Sequence, residues 1–439
     1  MAFAVVSLML VRLPPMVAEQ DSVLNTFRTL VEVDALTKQR YVAPIANAHL
    51  VDGAIRGMLM ELDPYSGYIA PEALAAFFRR SRGEYVGIGI EVGMEGRSVT
   101  VIAPVDQSPA AHAGILAGDV ILAIDGVPTS DLSVFDVNEL LSGPPDSAVV
   151  LRIRHSGESK PTEIKINRGP VSLTTVRGYR RDGHGAWDFR IDPEHGVAYF
   201  RISSFHDNTV DDFRRALQSI DPRDRRAIVL DLRFNPGGLM DQAVALVDQF
   251  VASGLILSTV TRRHAVQEYY ATPEHTLQDP ALAVLVNSGS ASSSEIVAGS
   301  LQDHRRATII GTRTFGKGSA QRLIELATIK AAIKLTIAYY RLPSGRIIHR
   351  THKSTPDDPW GVWPDIVVTL DDEETRRIQH VRRQLDNHVY PLPDAAGARG
   401  VAPAEEILRD RQLQAALDWV QSELARRDAP ASTNMANRD

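Results

Sequence analysis

Two short hydrophobic runs in the second half of the chain restrict its fold more than any other feature. Residues 227–232 (AIVLDL) and 282–287 (LAVLVN) are typical of strands buried on both faces, and each leads through a turn into a helical stretch. This alternation predicts a mostly parallel sheet covered by helices. Ligands of such sheets bind beyond the carboxyl ends of the strands. The segments that follow the two runs are therefore candidate parts of a site.

The segment after the second run ends in a cluster of serines at the start of a predicted helix. Ser292 and Ser293 lie where unpaired backbone N–H groups and the helix dipole favour a developing negative charge. Ser292 also forms an S-x-x-E capping pattern with Glu295. An ordinary helix cap therefore explains the cluster at least as well as a reactive serine does.

A lysine between two glycines, Lys317, follows the next predicted strand. The ordinary pKa of a lysine is about 10.4, so its side chain is a general base near neutral pH only in a desolvated pocket. A serine at a helix start and a lysine on a tight loop together suggest a serine nucleophile with a lysine base. A Ser–His–Asp triad stays open, although the sequence has no G-x-S-x-G elbow.

The composition excludes several classes of site. The chain of 439 residues has no cysteine, so disulfides, thiolate catalysis and cysteine–metal sites are excluded. A net charge of -6 gives no electrostatic reason to expect nucleic-acid binding. The 13 histidines form no HExxH-type pair, and no G-x-x-x-x-G-K-[ST] phosphate loop occurs. We therefore expect no metal and no cofactor.

The N-terminal part of the chain predicts helices without chemistry of their own. Apolar residues recur at helical spacing over residues 22–42 and 46–62, and a short helix is expected over 71–80. Residues 2–11 form a largely apolar run that is too short to span a bilayer. This run fits the core of a signal peptide, and a buried or frayed first helix fits it as an alternative.

Residues 84–168 change to short β-type runs separated by glycine turns, which indicates a small, mostly β module. Its first loop contains Gly87, Ile88, Gly89 and Ile90. Glycines allow backbone N–H groups to form a nest for a terminal carboxylate, and a neighbouring strand edge can accept a peptide as an added strand. An ordinary glycine-rich strand entry explains the loop equally well.

Three motifs give this module a family resemblance. The GIGI loop at 87–90 is followed by SPAAHAGI at 108–115 and AGDVILAIDG at 117–126. The motifs and their order resemble the PDZ domains of bacterial proteases, in which the loop receives the C-terminus of a polypeptide. The resemblance implies protein or peptide partners with apolar C-termini.

Three further segments carry a second resemblance. NSGSASSSEI begins at position 287, TFGKGSAQ at 314 and LDLRFNPGG at 230. They are similar to segments of the C-terminal processing (tail-specific) peptidases, the serine–lysine peptidases of family S41, and the similarity extends over residues 31–370. The resemblance assigns the nucleophile to Ser292, the general base to Lys317 and the orientation of that lysine to Gln321.

The LDLRFNPGG segment resembles the part of the family's site that holds the oxyanion. The resemblance implies that backbone N–H groups stabilise the tetrahedral intermediate. The candidates are the amides of Gly237 or Gly238, together with the amide of Ser293.

Asp303 matches an acidic position to which the family gives a supporting role. It follows Ser292 by about three helical turns, which is too far for contact. We therefore expect a structural role at the end of the helix, in which Asp303 pairs with one of the cationic residues that follow it, His304, Arg305 or Arg306.

The expected fold is a multidomain α/β protein. It consists of a helical N-terminal region, a small and mostly β PDZ domain, and an α/β protease core with crotonase-like layers of sheet and helix. The expected boundaries are 1–20 for a signal or anchor segment, 21–83 for the helical region, 84–168 for the PDZ domain, 169–370 for the core and 371–439 for C-terminal helices and a tail.

The implied function is that of a serine-type endopeptidase that cleaves proteins near their C-termini. The implied location is the periplasm or cell envelope, and a membrane anchor at the N-terminus stays open as an alternative. A homo-oligomer and an adaptor or activator protein are open as partners. Two other functions remain open. One is a catalytically silent module that binds C-terminal peptides. The other is an acyl-CoA hydratase-like enzyme, which the PDZ motifs and the lysine loop disfavour.

Overall fold

The computed structural model describes residues 20–74, 84–386 and 407–429, apart from short gaps at 96–97, 106–107, 117, 131, 133, 156, 173, 183–185, 264–265, 278, 328 and 352. The expected signal or anchor segment lies outside these residues except for its last position, and so does most of the helix expected over 71–80. The chain forms two compact units, and one of them joins the described residues up to Pro71 with Arg322–Thr336. The other contains the remaining residues.

The first unit is mainly helical. Helix α1 spans Gln20–Arg40 and α2 spans Asn47–Met60, which confirms the two helices predicted for this region with ends shifted by about two residues. Strand β1 (Gly67–Ile69) pairs antiparallel with the first residues of a much later strand, β21 (Ala332–Arg341). A small apolar core holds these pieces together and includes Leu59, Tyr68, Ala70 and Ala331.

The β module is confirmed as a small antiparallel sheet with two helices, α3 (Pro109–His112) and α4 (Val134–Leu141). Its sheet has the order β3-β4-β5-β7-β8, β6 pairs with β5, and β2 and β9 form a separate ladder. Strand β7 alternates between buried and more exposed residues, as expected for a strand with one face on a core. Strand β3 lies at the edge of the sheet. The strands are β2 Glu84–Gly87, β3 Ile90–Glu95, β4 Ser98–Pro104, β5 Val120–Ile124, β6 Val127–Pro128, β7 Ala148–Arg154, β8 Thr162–Asn167 and β9 Gly169–Ser172.

The central sheet of the second unit is mostly parallel, as the two hydrophobic runs predict. Five parallel strands follow the order β14-β15-β18-β19-β22, and two short antiparallel strands, β10 and β13, pair with β14. Every residue of β14, β15 and β18 is buried. The strands are β10 Val176–Arg177, β13 Arg190–Asp192, β14 Val197–Ile202, β15 Ala227–Asp231, β18 Ala281–Val286, β19 Thr308–Gly311 and β22 Ile366–Val367, and a separate pair is formed by β11 Arg180–Arg181 and β12 Trp187–Asp188.

Both faces of this sheet are covered, which explains why its strands are hydrophobic throughout. On one face, Leu230 and Val284 share a core with three helices, α5 (Thr209–Gln218), α6 (Met240–Asp248) and α7 (Ser293–Asp303). On the other face, Val229 and Ala283 share a second core with the C-terminal helix α9 (Arg411–Asp428). Alternate residues of each strand therefore enter different cores.

A second, antiparallel sheet forms a further layer of the core. Strand β16 (Gly254–Thr261) pairs with β17 (Val266–Ala271) on one side and with the last residues of β21 on the other. Strand β20 (Ser319–Glu325) pairs with β21. Ala320, near the start of β20, packs against the large core that contains residues of α5, α6 and α7.

A buried ion cluster connects the C-terminal helices with the end of β15. Arg233 pairs with Asp231 at 2.6 Å and with Asp410, which caps α9, at 2.6 Å. Arg382, from helix α8 (Asp372–Asp386), also pairs with Asp231. Burial pushes the pKa of the Asp231 carboxyl up, but Arg233 and Arg382 outweigh it and hold this pKa well below its usual range.

Candidate active site

Ser292 occupies a strained position at the start of α7. It is the N-cap residue of the helix, with a φ of 55° and a ψ of -113°. Residues other than glycine rarely adopt a positive φ, which costs on the order of 1–3 kcal/mol and persists only where surrounding contacts enforce it. The residue is 7% exposed. The strand-to-helix connection thus holds this serine in a fixed conformation.

The side chain of Glu295 connects the serine with the lysine loop. Its Oε2 accepts hydrogen bonds from the amides of Ser292 at 2.9 Å and Lys317 at 2.7 Å. Its Oε1 accepts from the Thr314 hydroxyl at 2.5 Å and from the Gly316 amide at 2.7 Å. The sequence identified Glu295 only as a capping residue, and its contacts with the distant loop were missed. The S-x-x-E pattern was the one available signal.

Glu295 is fully buried, and its partners suit the ionised carboxylate. Three of them are amides, which can only donate, and the Thr314 hydroxyl already accepts a hydrogen bond from the Val362 amide at 2.7 Å. Burial raises the pKa of Glu295, and the four hydrogen bonds oppose this rise. Glu295 thus accepts four hydrogen bonds and connects the start of α7 with the loop at 314–317.

The glycines around Lys317 are required by close packing. Gly316 has a φ of 90°, and a Cβ at this position would lie 2.7 Å from the Cβ of Arg350 and 3.0 Å from the ring of Trp360. The Gly316 carbonyl accepts a hydrogen bond from the Arg350 amide at 2.8 Å. Lys317 itself is half-buried. The loop can therefore carry the lysine close to a neighbouring segment, as the flanking glycines predict.

The Asn-Pro-Gly-Gly turn at 235–238 lies directly against Ser292. A Cβ on Gly237 would lie 2.8 Å from the Cβ of Ser292 and 3.0 Å from the amide nitrogen of Ser293. The Gly237 amide donates to Oδ1 of Asn235 at 2.9 Å. In contrast, the amides of Gly238 and Ser293 donate no hydrogen bond to the part of the chain that the structure describes. These two amides are therefore available to a bound oxyanion.

Gln321 lies on β20, shortly after the lysine. Its side-chain nitrogen donates to the hydroxyl of Ser319 at 3.0 Å and to the carbonyl of Ser319 at 3.2 Å. The structure thus places Gln321 on the strand that leads away from Lys317.

Asp303 forms the end of α7 and pairs with a different partner from those expected. Its carboxylate pairs with Arg346 at 3.0 Å and accepts a hydrogen bond from the Ser344 amide at 2.9 Å. The expectation of a pair with His304, Arg305 or Arg306 is wrong. His304 instead contacts the carbonyl of Leu255, and Arg306 donates to two other carbonyl groups. The residue connects the helix end with the turn after β21.

Comparison with known proteins identifies the family to which this chain belongs. The Peptidase family S41 model matches residues 196–368, a PDZ domain model matches 100–155, and the model of the activating protease CtpB N-terminal domain matches 13–73. The carboxy-terminal-processing protease of Bartonella bacilliformis is 39% identical over 352 residues, which cover 78% of this chain and 76% of that protein. The chain belongs to the carboxy-terminal processing proteases of peptidase family S41.

Other relatives of this S41 peptidase carry the same description. The carboxyl-terminal-processing protease of Synechocystis is 35% identical over 337 residues, covering 76% of this chain and 74% of that protein. Among solved structures, the photosystem II D1 C-terminal processing protease is 30% identical over 76% of this chain and 85% of that one, with a TM-score of 0.44. The enzyme class, the PDZ domain and the α/β core inferred from the motifs are confirmed.

The PDZ loop of this S41 peptidase faces helix α4. Gly87, Ile88, Gly89 and Ile90 line a narrow cleft of about 40 Å³ together with residues at the end of α4. Gly89 has a φ of 78°, and its carbonyl accepts hydrogen bonds from the Val105 amide and the Ser108 hydroxyl. The cleft lies beside β3, the edge strand of the module.

Two features are absent from the described part of this S41 peptidase, a membrane-spanning helix and a cluster of metal ligands. No helix there is both long and apolar enough to cross a bilayer. No group of three or more acidic or histidine side chains among those residues could hold a metal ion.

Proposed function

We propose that this S41 peptidase hydrolyses peptide bonds with Ser292 as nucleophile and Lys317 as general base. The observation that carries the proposal is the buried Glu295 carboxylate, which binds the backbone of both residues. Glu295 thus holds together the backbone of two residues that lie 25 positions apart in the sequence (317 minus 292). Holding a nucleophile and its base in one geometry is a large part of what an enzyme contributes to such a reaction.

The proposed reaction begins with neutral Lys317. Its Nζ takes the proton of the Ser292 hydroxyl while Oγ attacks the scissile carbonyl, and the resulting ammonium then protonates the leaving amine. Gln321 orients the lysine amine. A water molecule releases the acyl group by the same steps in reverse order.

The oxyanion of the intermediate is bound by backbone donors. The amides of Gly238 and Ser293 are the favoured pair, because the Gly237 amide is engaged by Asn235. Ser293 lies at the first position of α7, where the helix dipole adds to the attraction of negative charge. Each donor of this kind is worth about 2.7–4 kcal/mol of barrier. Asp303 contributes only by securing the helix end.

The PDZ domain selects the substrate. Backbone amides of the loop at 87–90 bind the terminal carboxylate of an unfolded or tagged protein, and the peptide adds to the edge of β3. The cleft beside α4 receives an apolar side chain of the tail. The match of residues 13–73 to an activating protease's N-terminal domain supports an activator or adaptor at the N-terminal region. The apolar run at 2–11 supports export to the periplasm or cell envelope.

A matched pair of substrates tests this function. One is an unfolded protein that ends in three apolar residues, and the other is the same protein ending in Asp-Asp. We expect the wild type to cleave the substrate with the apolar tail faster than the one ending in Asp-Asp. Ser292→Ala should still bind the apolar tail but should cleave neither substrate. Tail binding without cleavage by the wild type would instead support the catalytically silent module.

A further inference from the structure

The hydroxyl of Ser293 has no part in the reaction proposed above, which uses only the amide of this residue. Ser293 is the first residue of α7 and is fully buried. Its Oγ donates a hydrogen bond to the carbonyl of Gly238 at 2.9 Å. Gly238 carries the other amide of the favoured oxyanion pair, so this hydrogen bond joins the two residues that supply the donors.

Two further serines attach the segment before the glycines to the start of α7. The hydroxyl of Ser290 donates to the carbonyl of Leu232 at 2.8 Å, and that of Ser294 donates to the carbonyl of Asn235 at 3.0 Å. These two serines bind carbonyls that precede the glycines, whereas Ser293 binds the glycine pair itself. The serine cluster therefore holds this segment against the helix at three points.

The glycine pair needs such support because its own side chains cannot stiffen it. Gly237 has a φ of 100° and Gly238 a φ of 146°, and glycine loses more conformational freedom than any other residue when it is ordered. A Cβ on Gly238 would lie 2.1 Å from the carbonyl oxygen of Phe205. The conformation of the turn therefore depends on hydrogen bonds from its neighbours.

The peptide groups on both sides of Gly238 are held in this way. The carbonyl of Gly237 accepts a hydrogen bond from the Phe205 amide at 3.0 Å. In a planar trans peptide the C=O and N–H groups point in opposite directions, so this bond directs the Gly238 amide away from Phe205. The carbonyl of the next peptide, that of Gly238, is the acceptor of the Ser293 hydroxyl. Together the two bonds fix the direction of the Gly238 N–H group.

We infer that Ser293 is a positioning residue of this S41 peptidase, whose hydroxyl holds the Gly238 amide in place for the oxyanion. This inference rests on the proposed function. Donors stabilise a developing oxyanion most when they are already oriented, because no reorganisation is then needed during the reaction. Without the hydroxyl, the peptide groups of Gly238 can take other orientations, and the oxyanion is stabilised less.

Ser300 provides a matched control on the same helix. It is also fully buried, and its hydroxyl donates to the carbonyl of Ile256 at 2.7 Å. Ser293→Ala and Ser300→Ala each remove one buried hydrogen bond between a serine of α7 and a backbone carbonyl, and the smaller alanine causes no clash. A loss of activity through general loosening of α7 would appear in both variants. A loss through the oxyanion donors would appear only in Ser293→Ala.

The test uses the full chain with three readouts. They are the melting temperature, kcat and KM on an unfolded protein with an apolar C-terminus, and the inhibition constant of a peptide aldehyde. The Ser292 hydroxyl adds to the aldehyde to give a tetrahedral hemiacetal, whose oxygen takes the place of the oxyanion. In Ser293→Ala we expect kcat to fall and the inhibition constant to rise by about 3- to 10-fold, the effect of one neutral hydrogen bond, with KM nearly unchanged. Both variants should lose a similar amount of melting temperature, and Ser300→Ala should keep the wild-type kcat and inhibition constant.

The outcomes separate this inference from the proposed function. If Ser293→Ala keeps the wild-type kcat and inhibition constant while its melting temperature falls like that of Ser300→Ala, the hydroxyl only stabilises the fold. The inference is then wrong and the proposed dyad stands. It is also wrong if Ser300→Ala impairs both quantities as strongly, or if Ser293→Ala changes only KM. If the wild type neither hydrolyses the substrate nor binds the aldehyde, the proposed function is wrong, and the inference is overturned with it.

Discussion

At the scale of single residues, the site depends on contacts that compensate strain. Ser292 keeps a positive φ because its amide is held by Glu295. The sequence pattern S-x-x-E revealed that Glu295 reaches back to Ser292, since capping is a local interaction. It could not reveal the bonds to Gly316 and Lys317, because they depend on how a loop about 20 residues later folds back onto the helix.

Replacing the bridging carboxylate should impair both folding and catalysis. In Glu295→Gln, one oxygen becomes an NH2 group that faces two donors, so two hydrogen bonds are lost. Because hydrogen bonds to a charged group are worth about 1.5–3 kcal/mol each, we expect the free energy of unfolding to fall by about 3–6 kcal/mol. We expect kcat to fall about tenfold or more. Urea unfolding and steady-state kinetics measure the two effects.

An exposed glutamate serves as the control for this variant. Glu274→Gln changes the same charge at an exposed position and should leave both quantities unchanged. A kcat for Glu295→Gln within twofold of the wild type would show that the bridge does not position the dyad.

At the scale of secondary-structure elements, the sequence predicted the strands of the central sheet better than the helices that pack on its two faces. The runs at 227–232 and 282–287 were recognised because a strand buried on both faces is hydrophobic throughout. That α9 covers one of these faces was not predicted, since its apolar residues show only that one side is buried and not against what. In the region at 371–439, expected as C-terminal helices, the described residues include α8 and α9, which are tied to the core through Arg382 and Asp410.

The buried ion cluster gives this packing a pH dependence. In Asp231→Asn, Arg382 stays buried without its carboxylate and Arg233 keeps only Asp410, which should cost about 3–5 kcal/mol of stability at neutral pH. The pKa of Asp231 is lowered in the folded protein, so its stabilisation is complete above the unfolded value of about 3.9 and is lost as the pH falls through the lowered value. The stability difference should therefore stay constant from pH 7 to about pH 5 and shrink below about pH 4.

Urea unfolding of both proteins across this pH range measures that difference. Asp221, paired with the exposed Arg223, provides the control, because Asp221→Asn should scarcely change the unfolding midpoint. A difference between the wild type and Asp231→Asn that grows on acidification would contradict the account.

At the scale of the whole molecule, the PDZ domain is inserted between two paired strands. Strands β2 and β9 pair antiparallel, with Gly87 opposite Gly169, so the chain enters and leaves the module at adjacent positions. The domain order was predictable because each module has its own motifs. The sequence did not predict that Arg322–Thr336 joins the unit of the N-terminal helices, because no motif in either segment indicates contact with the other.

Removal of the PDZ domain should lower activity and abolish selectivity for tails. Replacing residues 88–168 with a two-glycine turn keeps the ladder between β2 and β9. If tail docking organises the pair of Ser292 and Lys317, this variant should cleave the apolar-tailed substrate about tenfold more slowly than the wild type does. It should also cleave the substrates with apolar and Asp-Asp tails at equal rates. Far-UV circular dichroism and the midpoint of urea unfolding check that the core is still folded. Unchanged rate and selectivity would show that the domain plays no part in activation.

The most direct test of the account is the rate of hydrolysis by Lys317→Arg beside the wild type. Arginine keeps a positive charge and a long side chain but cannot lose its proton near neutral pH, so it cannot serve as a base. On an unfolded substrate with an apolar C-terminus, kcat should fall about 100-fold or more, as expected for the loss of a general base. Ser292→Ala sets the background. Activity of Lys317→Arg close to that of the wild type would mean that another group accepts the proton and that the serine–lysine assignment is wrong.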